Sequence, residues 1–230
     1  MPKDFKTFED QLGIQFNDTD LLRQAFTHRS YLNEHRGEVK GHNERLEFLG
    51  DAVLELIATR FLYEKFPTHP EGDLTAYRAA LVNAVTCAEV AGELGMNDFL
   101  LLSRGEAKDT GRARGILLAN AFEALVGAIY LDLGYDAAND FISKFLFPKI
   151  DEIIKNKLWQ DAKSSLQEKA QEVEGVTPNY AVLKEWGPDH DKHFVVGVNI
   201  KDKLIAEGDG KSKQDAEQSA ARAALEVKGW

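Results

Sequence analysis

The sequence predicts an all-α domain followed by a small α+β domain with the element order α-β-β-β-α. Two observations lead to this prediction. Residues 1–150 carry apolar side chains at helical spacing without period-two alternation, whereas three short β-rich runs follow residue 160. We therefore expect a helical domain at 1–150, a charged linker at 151–160 and the second domain at 161–230.

Capping and breaking residues delimit the helices of the first domain. An amphipathic helix is predicted at 5–12, and a second follows the capping cluster Asn-Asp-Thr-Asp at 17–20. The long segment 42–66 is predicted as one helix that ends before Pro67, since proline cannot continue a helix. Further helices are predicted at about 73–95, 115–133 and 136–150.

The second domain begins with a helix over 161–174 and ends with the alanine-rich helix 212–228, because alanine has the highest helix propensity. Between them, the runs NYAVLKEW, KHFVVGVNI and KLIAEGD are rich in β-branched and aromatic residues and are predicted as strands. The short segments GPDH (187–190) and KD (201–202) separate these runs as turns. Three strands between two helices predict a compact α+β unit.

Composition and charge limit the class of protein. The chain has 230 residues, 43% of them hydrophobic and 29% charged, which argues against wholesale disorder. Cys87 is the single cysteine, so an intrachain disulfide and a Cys-based zinc cluster are excluded. Because we find no apolar leader and no long uninterrupted apolar run, we expect a cytoplasmic protein without a membrane partner. The net charge of −10 does not exclude nucleic acid, since a basic patch or bound cations reverse the field locally.

The segment NERLEFLGDAVL (43–54) places three acids on one side of a predicted helix. Glu44, Glu47 and Asp51 are spaced by three and four residues, so their carboxylates share one stripe. The same segment carries core-type apolar residues, and a desolvated carboxylate is costly unless it is paired or bound to a metal. Taken alone, the stripe is also compatible with the solvated face of an amphipathic helix.

A second helix supplies further oxygen ligands. Glu123 lies in ILLANAFEALVGAIYLD, the most apolar helix of the chain, and Asn120 lies one turn earlier on the same face. Together with Glu47 and Asp51 they predict a pocket of hard oxygen ligands suited to Mg²⁺ or Mn²⁺, and acid-rich sites of this type typically perform phosphoryl transfer. Glu71, at another helix start, has two open interpretations: a member of this acidic group, or a carboxylate that interacts with the helix dipole.

These motifs closely resemble those of the ribonuclease III family. Twelve contiguous residues, NERLEFLGDAVL, match its signature, and AFTHRSYLNE (25–34), EGDLTAYRAALV (71–82) and FEALVGAIYLD (122–132) match it elsewhere. The last 70 residues resemble a double-stranded RNA-binding domain, so the resemblance covers essentially the whole chain in the bacterial-type arrangement. It implies that the all-α domain is an endonuclease domain.

The resemblance implies a Mg²⁺-dependent endoribonuclease of double-stranded RNA, with Mn²⁺ as a substitute and no small-molecule organic cofactor. A metal-activated water is expected to attack the phosphorus, leaving 5′-phosphate and 3′-hydroxyl ends with short 3′ overhangs. Expected substrates include ribosomal RNA precursors and messenger RNAs. A homodimer is also implied, in which Phe48 packs into the partner subunit and two active sites face one RNA cleft.

The family's functional positions map onto individual residues of this chain. Metal ligands are implied at four positions: Glu47, Asp51, Asn120 and Glu123. Asp51 and Glu123 are also implied as catalytic residues. Glu44 belongs to the same acidic group, and Glu71 is associated with the substrate RNA at its edge.

One position departs from the family's pattern. The family usually has aspartate where this chain has Asn120, which keeps an oxygen ligand but removes one negative charge, so metal affinity should fall. The alternative function is therefore a non-catalytic duplex-RNA-binding or ribosome-associated protein with a weakened site. An unrelated metal-binding helical protein would not explain the second domain. For His28 and Arg45 we expect structural or supporting roles.

Six residues of the second domain resemble the family's RNA-contacting positions: Ser164, Gln167, Gln171, His190, Lys211 and Lys213. Duplex RNA is read by shape, which requires polar groups for the minor groove and cations at a helix start for phosphates. Each residue also has a simpler interpretation as a solvated side chain or part of an ordinary turn. The domain carries 10 Lys and Arg against 13 Asp and Glu over 161–230, and Gln214 stands where the family usually has a second basic residue. We therefore expect modest affinity, raised by two such domains in a dimer.

Overall fold

The computed structural model describes residues 3–35, 37, 40–108, 111–159, 161–188 and 192–230. The chain divides into two compact units, Met1–Trp159 and Gln160–Trp230. The first is helical, and the second is a three-stranded antiparallel sheet with flanking helices. The predicted fold class is therefore confirmed.

Short capping motifs begin several helices of the first unit. The side chains of Asp4, Asp18 and Asn83 accept hydrogen bonds from N–H groups in the first turns of three of them. Two 3-10 turns, Met96–Asp98 and Glu106–Lys108, precede the longest helix. The α-helices of the described residues are α1 Phe5–Leu12, α2 Thr19–Ala25, α3 Arg29–Glu34, α4 Glu44–Lys65, α5 Glu71–Leu81, α6 Ala84–Glu93, α7 Arg112–Phe145 and α8 Lys149–Lys155.

Three features of this unit differ from the sequence-based expectation, each for a local reason. The segment 73–95 is two helices, because Asn83 caps a new start at α6. Helix α7 joins two predicted helices, with non-helical backbone at Gly134 (φ 87°, ψ −177°) as the interruption. Helix α3 is not predicted at all; it is short and starts where His28 Nδ1 accepts a hydrogen bond from the N–H of Ser30.

The charged segment expected as a linker packs on the first unit. Its first half belongs to α8, whose Ile150 and Ile153 are buried in the helical core. The Trp159 ring meets the Tyr77 ring edge-on, with the centroids 4.9 Å apart. Apolar side chains therefore hold this segment against the helices as far as Trp159, and the division between the two units falls at about residue 160.

Helices α4 and α7 form the centre of the first unit and cross at two glycines. A Cβ atom on Gly50 would lie 1.8 Å from the main-chain oxygen of Glu123, and one on Gly127 would lie 2.3 Å from that of Leu46. Only a hydrogen atom fits at either position, so the two backbones come into direct contact. This crossing sets the polar side of α4 close to that of α7.

Helix α7 supplies much of the core. The stretch Ala113–Phe145 is long and apolar enough to cross a membrane by length and composition, but half of its most apolar window is buried inside the unit. Phe122, Leu125 and Ile129 are fully buried there. The apolar character of this helix is thus accounted for by its central position.

The second unit consists of α9 Ala162–Glu174, β1 Asn179–Trp186, β2 His193–Ile200, β3 Lys203–Gly210 and α10 Lys213–Lys228. The strands pair in the order β1-β2-β3. Lys201 and Asp202 both have positive φ (50° and 61°), as a two-residue hairpin turn requires. Leu166 of α9 and the alanine face of α10 pack on Val198 and Ile200 of the sheet. This packing fixes the start of α10 relative to α9.

Candidate active site and nucleic-acid interface

The two central helices bring the four predicted metal ligands together. Glu47 and Asp51 lie on α4, and Asn120 and Glu123 lie on α7. The Asn120 amide is close enough to the Glu47 carboxylate to stabilise its charged form, and Glu123 interacts electrostatically with Asp51 and Glu47. We call these four side chains the acidic cluster.

Burial and mutual repulsion raise pKa values in the acidic cluster. Burial, followed by the charges of Asp51 and Glu47, raises the pKa of Glu123 from 4.5 to about 7. Burial and then the charge of Glu44 raise the pKa of Glu47, while the Asn120 amide opposes that shift. The carboxylates therefore repel one another in a partly desolvated place.

Protein cations do not neutralise the acidic cluster. Among the described residues no Lys, Arg or His forms an ion pair with its three carboxylates, and the nearby pairs belong to Glu44. Arg29 lies 3.6 Å and His42 3.8 Å from the Glu44 carboxylate. Repelling carboxylates without a cation are the electrostatic setting in which a bound metal ion is stabilising.

The donor set fits a hard divalent cation. Three carboxylates and one amide are oxygen ligands of the kind that Mg²⁺ and Mn²⁺ prefer. As placed, no three His, Cys, Asp or Glu side chains in the described part of the chain are close enough to hold one ion. Unneutralised carboxylates separate by repulsion, and a turn of the Asn120 amide would present its oxygen in place of its NH₂ group. Small side-chain rotations are thus required for binding.

A cavity of about 50 Å³ opens beside the acidic cluster. His28 and Asn43 line it together with Glu44, Glu47 and Asn120. The sequence-based analysis does not predict a functional role for Asn43, which is buried here. Its position as the first residue of the motif NERLEFLGDAVL is the signal that could have identified it. It adds an amide to the polar wall of this cavity.

His28 is held firmly at the edge of this cavity. Its Nδ1 lies 2.9 Å from Ser30 Oγ, and that oxygen accepts a hydrogen bond from the N–H of Ser103 at 3.0 Å. Burial lowers the pKa of His28, which favours the neutral imidazole. This geometry gives His28 a capping role for α3, while Arg45 is exposed on α4.

Two further predicted functional residues, Glu71 and Phe48, are exposed and are not members of the acidic cluster. Glu71 is exposed at the first residue of α5, where its carboxylate accepts a hydrogen bond from the Thr75 hydroxyl at 3.0 Å. No hydrogen bond or ion pair among the described residues joins it to the cluster, and its role toward RNA stays a prediction. Phe48 is 82% exposed on α4, an unusual position for so large an apolar side chain.

The raised pKa of Glu123 predicts a pH dependence of stability in the metal-free protein. Its folded-state pKa of about 7 lies above the ordinary 4.5, so this residue's contribution to stability falls as pH rises between those values. Glutamine does not ionise, so Glu123→Gln should not lose this stability as pH rises. In EDTA its melting temperature should match the wild type at pH 4.5 and exceed it at pH 8. A difference that does not change with pH would contradict the raised pKa.

The glutamine candidates for RNA contact lie on α9. Gln167 and Gln171 are exposed one turn apart, on the same side of this helix. Ser164 lies in the first turn, where its hydroxyl donates a hydrogen bond to the Asp161 carboxylate at 2.8 Å. His190 lies outside the described residues. The described candidates thus present polar groups to solvent, as minor-groove contacts require.

The lysine candidates lie at the start of α10. Lys211 and Lys213 are exposed on either side of Ser212, which caps the helix by accepting a hydrogen bond from the N–H of Asp215. Neither lysine forms an ion pair within the described ranges, whereas Lys163 of α9 is paired with a carboxylate. Two cations at a helix N-terminus are therefore available to phosphate.

Comparison with known proteins assigns both units. Residues 18–150 match the family model described as ribonuclease-III-like, and residues 162–228 match the double-stranded RNA binding motif. Ribonuclease 3 of Bdellovibrio bacteriovorus is 46% identical, over 97% of this chain and 95% of its own length. Ribonuclease 3 of Geobacillus kaustophilus is 47% identical, over 97% of this chain and 90% of its own length.

A solved structure supports the same assignment. The nuclease domain of ribonuclease III from Campylobacter jejuni, described as flexible in a region involved in dimer formation, matches 63% of this chain and 99% of its own. The TM-score is 0.57 and the identity 38%. Sequence and structure thus agree over the helical unit. The chain belongs to the ribonuclease III family and is an endonuclease of double-stranded RNA.

Proposed function

We propose that this chain hydrolyses double-stranded RNA with Mg²⁺ as its cofactor and Mn²⁺ as a substitute, leaving 5′-phosphate and 3′-hydroxyl ends. The observation that carries this proposal is the acidic cluster. Its carboxylates come from two helices that cross in backbone contact, and no protein cation pairs with them among the described residues. A divalent cation is the partner that best fits such a set of oxygens.

Each residue of the acidic cluster has a definable task in this proposal. Glu47, Asp51 and Glu123 would hold the ion through carboxylate oxygens, and Asn120 through its amide oxygen. The bound ion supplies activation of a water and stabilisation of the leaving 3′ oxygen. Because a ligating carboxylate must be ionised, Glu123 would lose its proton when the ion binds near pH 7.

Asn120 supports a second candidate, a duplex-RNA-binding protein that does not cleave. An amide in place of a carboxylate weakens the field that attracts a cation. We favour cleavage because Glu47, Asp51 and Glu123 remain in place around it. Both candidates bind duplex RNA through the second unit.

A cleavage assay separates the two candidates. Long duplex RNA is incubated with the wild type and Asn120→Asp in Mg²⁺, in Mn²⁺ and in EDTA, and the product ends are mapped. We expect wild-type cleavage in either metal but not in EDTA, with 5′-phosphate products. Binding without cleavage in both metals would support the second candidate, and activity gained by Asn120→Asp would place the defect at that residue.

We also propose that the chain acts as a homodimer through α4. Phe48 is 82% and Leu56 59% exposed on this helix, which leaves apolar surface uncovered on one chain. The related nuclease domain from Campylobacter jejuni contains a region involved in dimer formation, which supports a dimer for this chain as well. A second copy covering Phe48 would explain its exposure.

Truncating Phe48 should therefore weaken the dimer. We expect Phe48→Ala to raise the dimer dissociation constant about thirtyfold or more, as for a central aromatic interface residue. Sedimentation velocity across a dilution series measures this constant. Val85→Ala serves as the matched control, since Val85 is 69% exposed on α6. Equal constants for both variants would remove Phe48 from the interface.

Lys213 should contribute to duplex binding through phosphate. Lys213→Ala is expected to weaken binding of a 20-base-pair duplex about fivefold and to lower the salt slope by about one. Fluorescence anisotropy at several salt concentrations gives both quantities. Lys203→Ala is the control, because Lys203 is an exposed lysine on β3, away from the α10 start. The same change in both variants would indicate a general charge effect only.

Ribosomal RNA precursors and messenger RNAs in the cytoplasm are the substrates that we propose. Duplex recognition by shape is compatible with any long RNA helix, which both classes contain. Loss of the chain's activity from cells should then lead to accumulation of unprocessed ribosomal precursors.

A further inference from the structure

A large cleft in the helical unit is not used by the proposed cleavage. It has a volume of about 700 Å³ and lies against α1, α2, α3, the chain between α6 and α7, and the first turn of α7. Leu100 and Leu102 line both this cleft and the small cavity beside the acidic cluster. The cleft is therefore a neighbour of the candidate active site but has its own set of polar residues.

Positive charge dominates the wall of the cleft. Lys3, Arg23 and Arg114 line it, against the single carboxylate of Asp98 among the described lining residues. Lys3 donates a hydrogen bond to the main-chain oxygen of Asp98, and Arg114 donates two to the main-chain oxygens of Glu106 and Ala107. Lys3 and Arg23 thus place positive charge on this wall, as binding of an anion requires.

Arg23 is the cation best placed to accept a ligand. Its side chain is half-buried, and its guanidinium has no hydrogen bond or ion pair among the residues that the structure describes. Asp20 interacts with it at longer range but is itself paired with Lys40 at 2.7 Å. A planar guanidinium with unused donors binds phosphate in a two-pronged manner.

An aromatic pair lines the same cleft. The rings of Tyr31 and His35 stack with centroids 3.9 Å apart and planes inclined by 7°. His35 Nδ1 lies 3.2 Å from the main-chain oxygen of Tyr31, which fixes the orientation of the imidazole. Fixed aromatic rings beside cations are the combination by which proteins hold unpaired bases and their phosphates.

We propose that this cleft binds a phosphorylated nucleoside, either as a free nucleotide or as one unit of a single RNA strand. The base lies against the Tyr31–His35 pair, and the phosphate is held by Arg23 and Lys3. This site is formed by residues of the first unit and does not depend on metal or on cleavage. If this binding were not found, the proposed nuclease activity would be unaffected.

Binding of a labelled single strand tests the proposal. Fluorescein-labelled hexauridylate, which forms no duplex with itself, is titrated with the full chain in EDTA and followed by anisotropy. Arg23→Gln should weaken binding about tenfold, because a charge-assisted phosphate contact is lost. His35→Leu should weaken it about fivefold through loss of stacking. Lys6→Gln, which removes an exposed cation of α1 paired with Asp10, should change it less than about twofold.

Melting temperatures and competition experiments serve as controls for the binding assay. Melting temperatures of all variants show whether folding is retained, and His35→Leu gives an independent result if Arg23→Gln is destabilised. Competition by adenosine monophosphate would assign the site to a free nucleotide, and competition by unlabelled hexauridylate alone would assign it to a strand. Affinities of Arg23→Gln and His35→Leu equal to that of Lys6→Gln would overturn the proposal.

Discussion

Replacing Glu123 by alanine is expected to lower cleavage of duplex RNA about a thousandfold or more, because the proposed metal site would lose one of its carboxylate ligands. Glu123 projects from the most apolar helix of the chain into the acidic cluster, where Asp51 and Glu47 raise its pKa after burial does. It is the carboxylate that α7 contributes to the cluster, so α7 would retain only the Asn120 amide there. Single-turnover cleavage of a labelled duplex in Mg²⁺ measures the effect.

Two controls make this result specific. Asp140→Ala removes an exposed carboxylate from the same helix, well away from the cluster, and should cleave at the wild-type rate. Duplex binding by Glu123→Ala in EDTA should stay within about twofold of wild type, since the second unit is unchanged. Wild-type cleavage by Glu123→Ala would show that the acidic cluster is not the active site.

Gly50→Ala is expected to destabilise the helical unit by about 3 kcal/mol, in the range of overpacked cores. The new Cβ would lie 1.8 Å from the main-chain oxygen of Glu123, so the backbones of α4 and α7 must separate. For a chain of this size the melting temperature should fall by about 6–12 °C. The same displacement moves Glu123 relative to Asp51, and cleavage should fall as well.

Gly115→Ala is the matched control on α7. A Cβ at Gly115 meets no heavy atom within 4 Å, so only the helix propensity of alanine acts there. Its stability should equal or exceed that of the wild type by up to about 1 kcal/mol. If both glycine variants had the same melting temperature, the direct backbone contact at Gly50 would be contradicted.

The sequence predicts most of the elements because local signals agree with the packing. Helix α1, the end of α4 before Pro67 and all three strands lie where periodicity and breakers indicate. The proximity of Glu123 to Glu47 and Asp51 was also predictable, since an acid inside so apolar a helix is expected to face a polar or metal-binding site. The positions of these helices and strands depend on residues that are close together in the sequence. The placement of Glu123 depends on the high free-energy cost of burying a charged carboxylate alone.

Other features depend on contacts between distant segments, which a single sequence does not specify. Helix α3 is short, and Ser30 within it is held by the N–H of Ser103. The crossing at Gly50 and Gly127 requires knowing which helices meet. The cleft of Arg23 and Tyr31 is likewise assembled from separate helices. Tertiary packing decides these cases.

The most direct test of a metal site between α4 and α7 is binding of Mn²⁺ followed by electron paramagnetic resonance, without RNA. The free Mn²⁺ signal should fall on addition of the wild type and of Asp140→Ala, with the same dissociation constant for both. Asn120→Asp should bind more tightly, because it restores one negative charge. Glu123→Ala should bind at least about tenfold more weakly. Equal Mn²⁺ binding by Glu123→Ala and the wild type would contradict a metal site at this crossing.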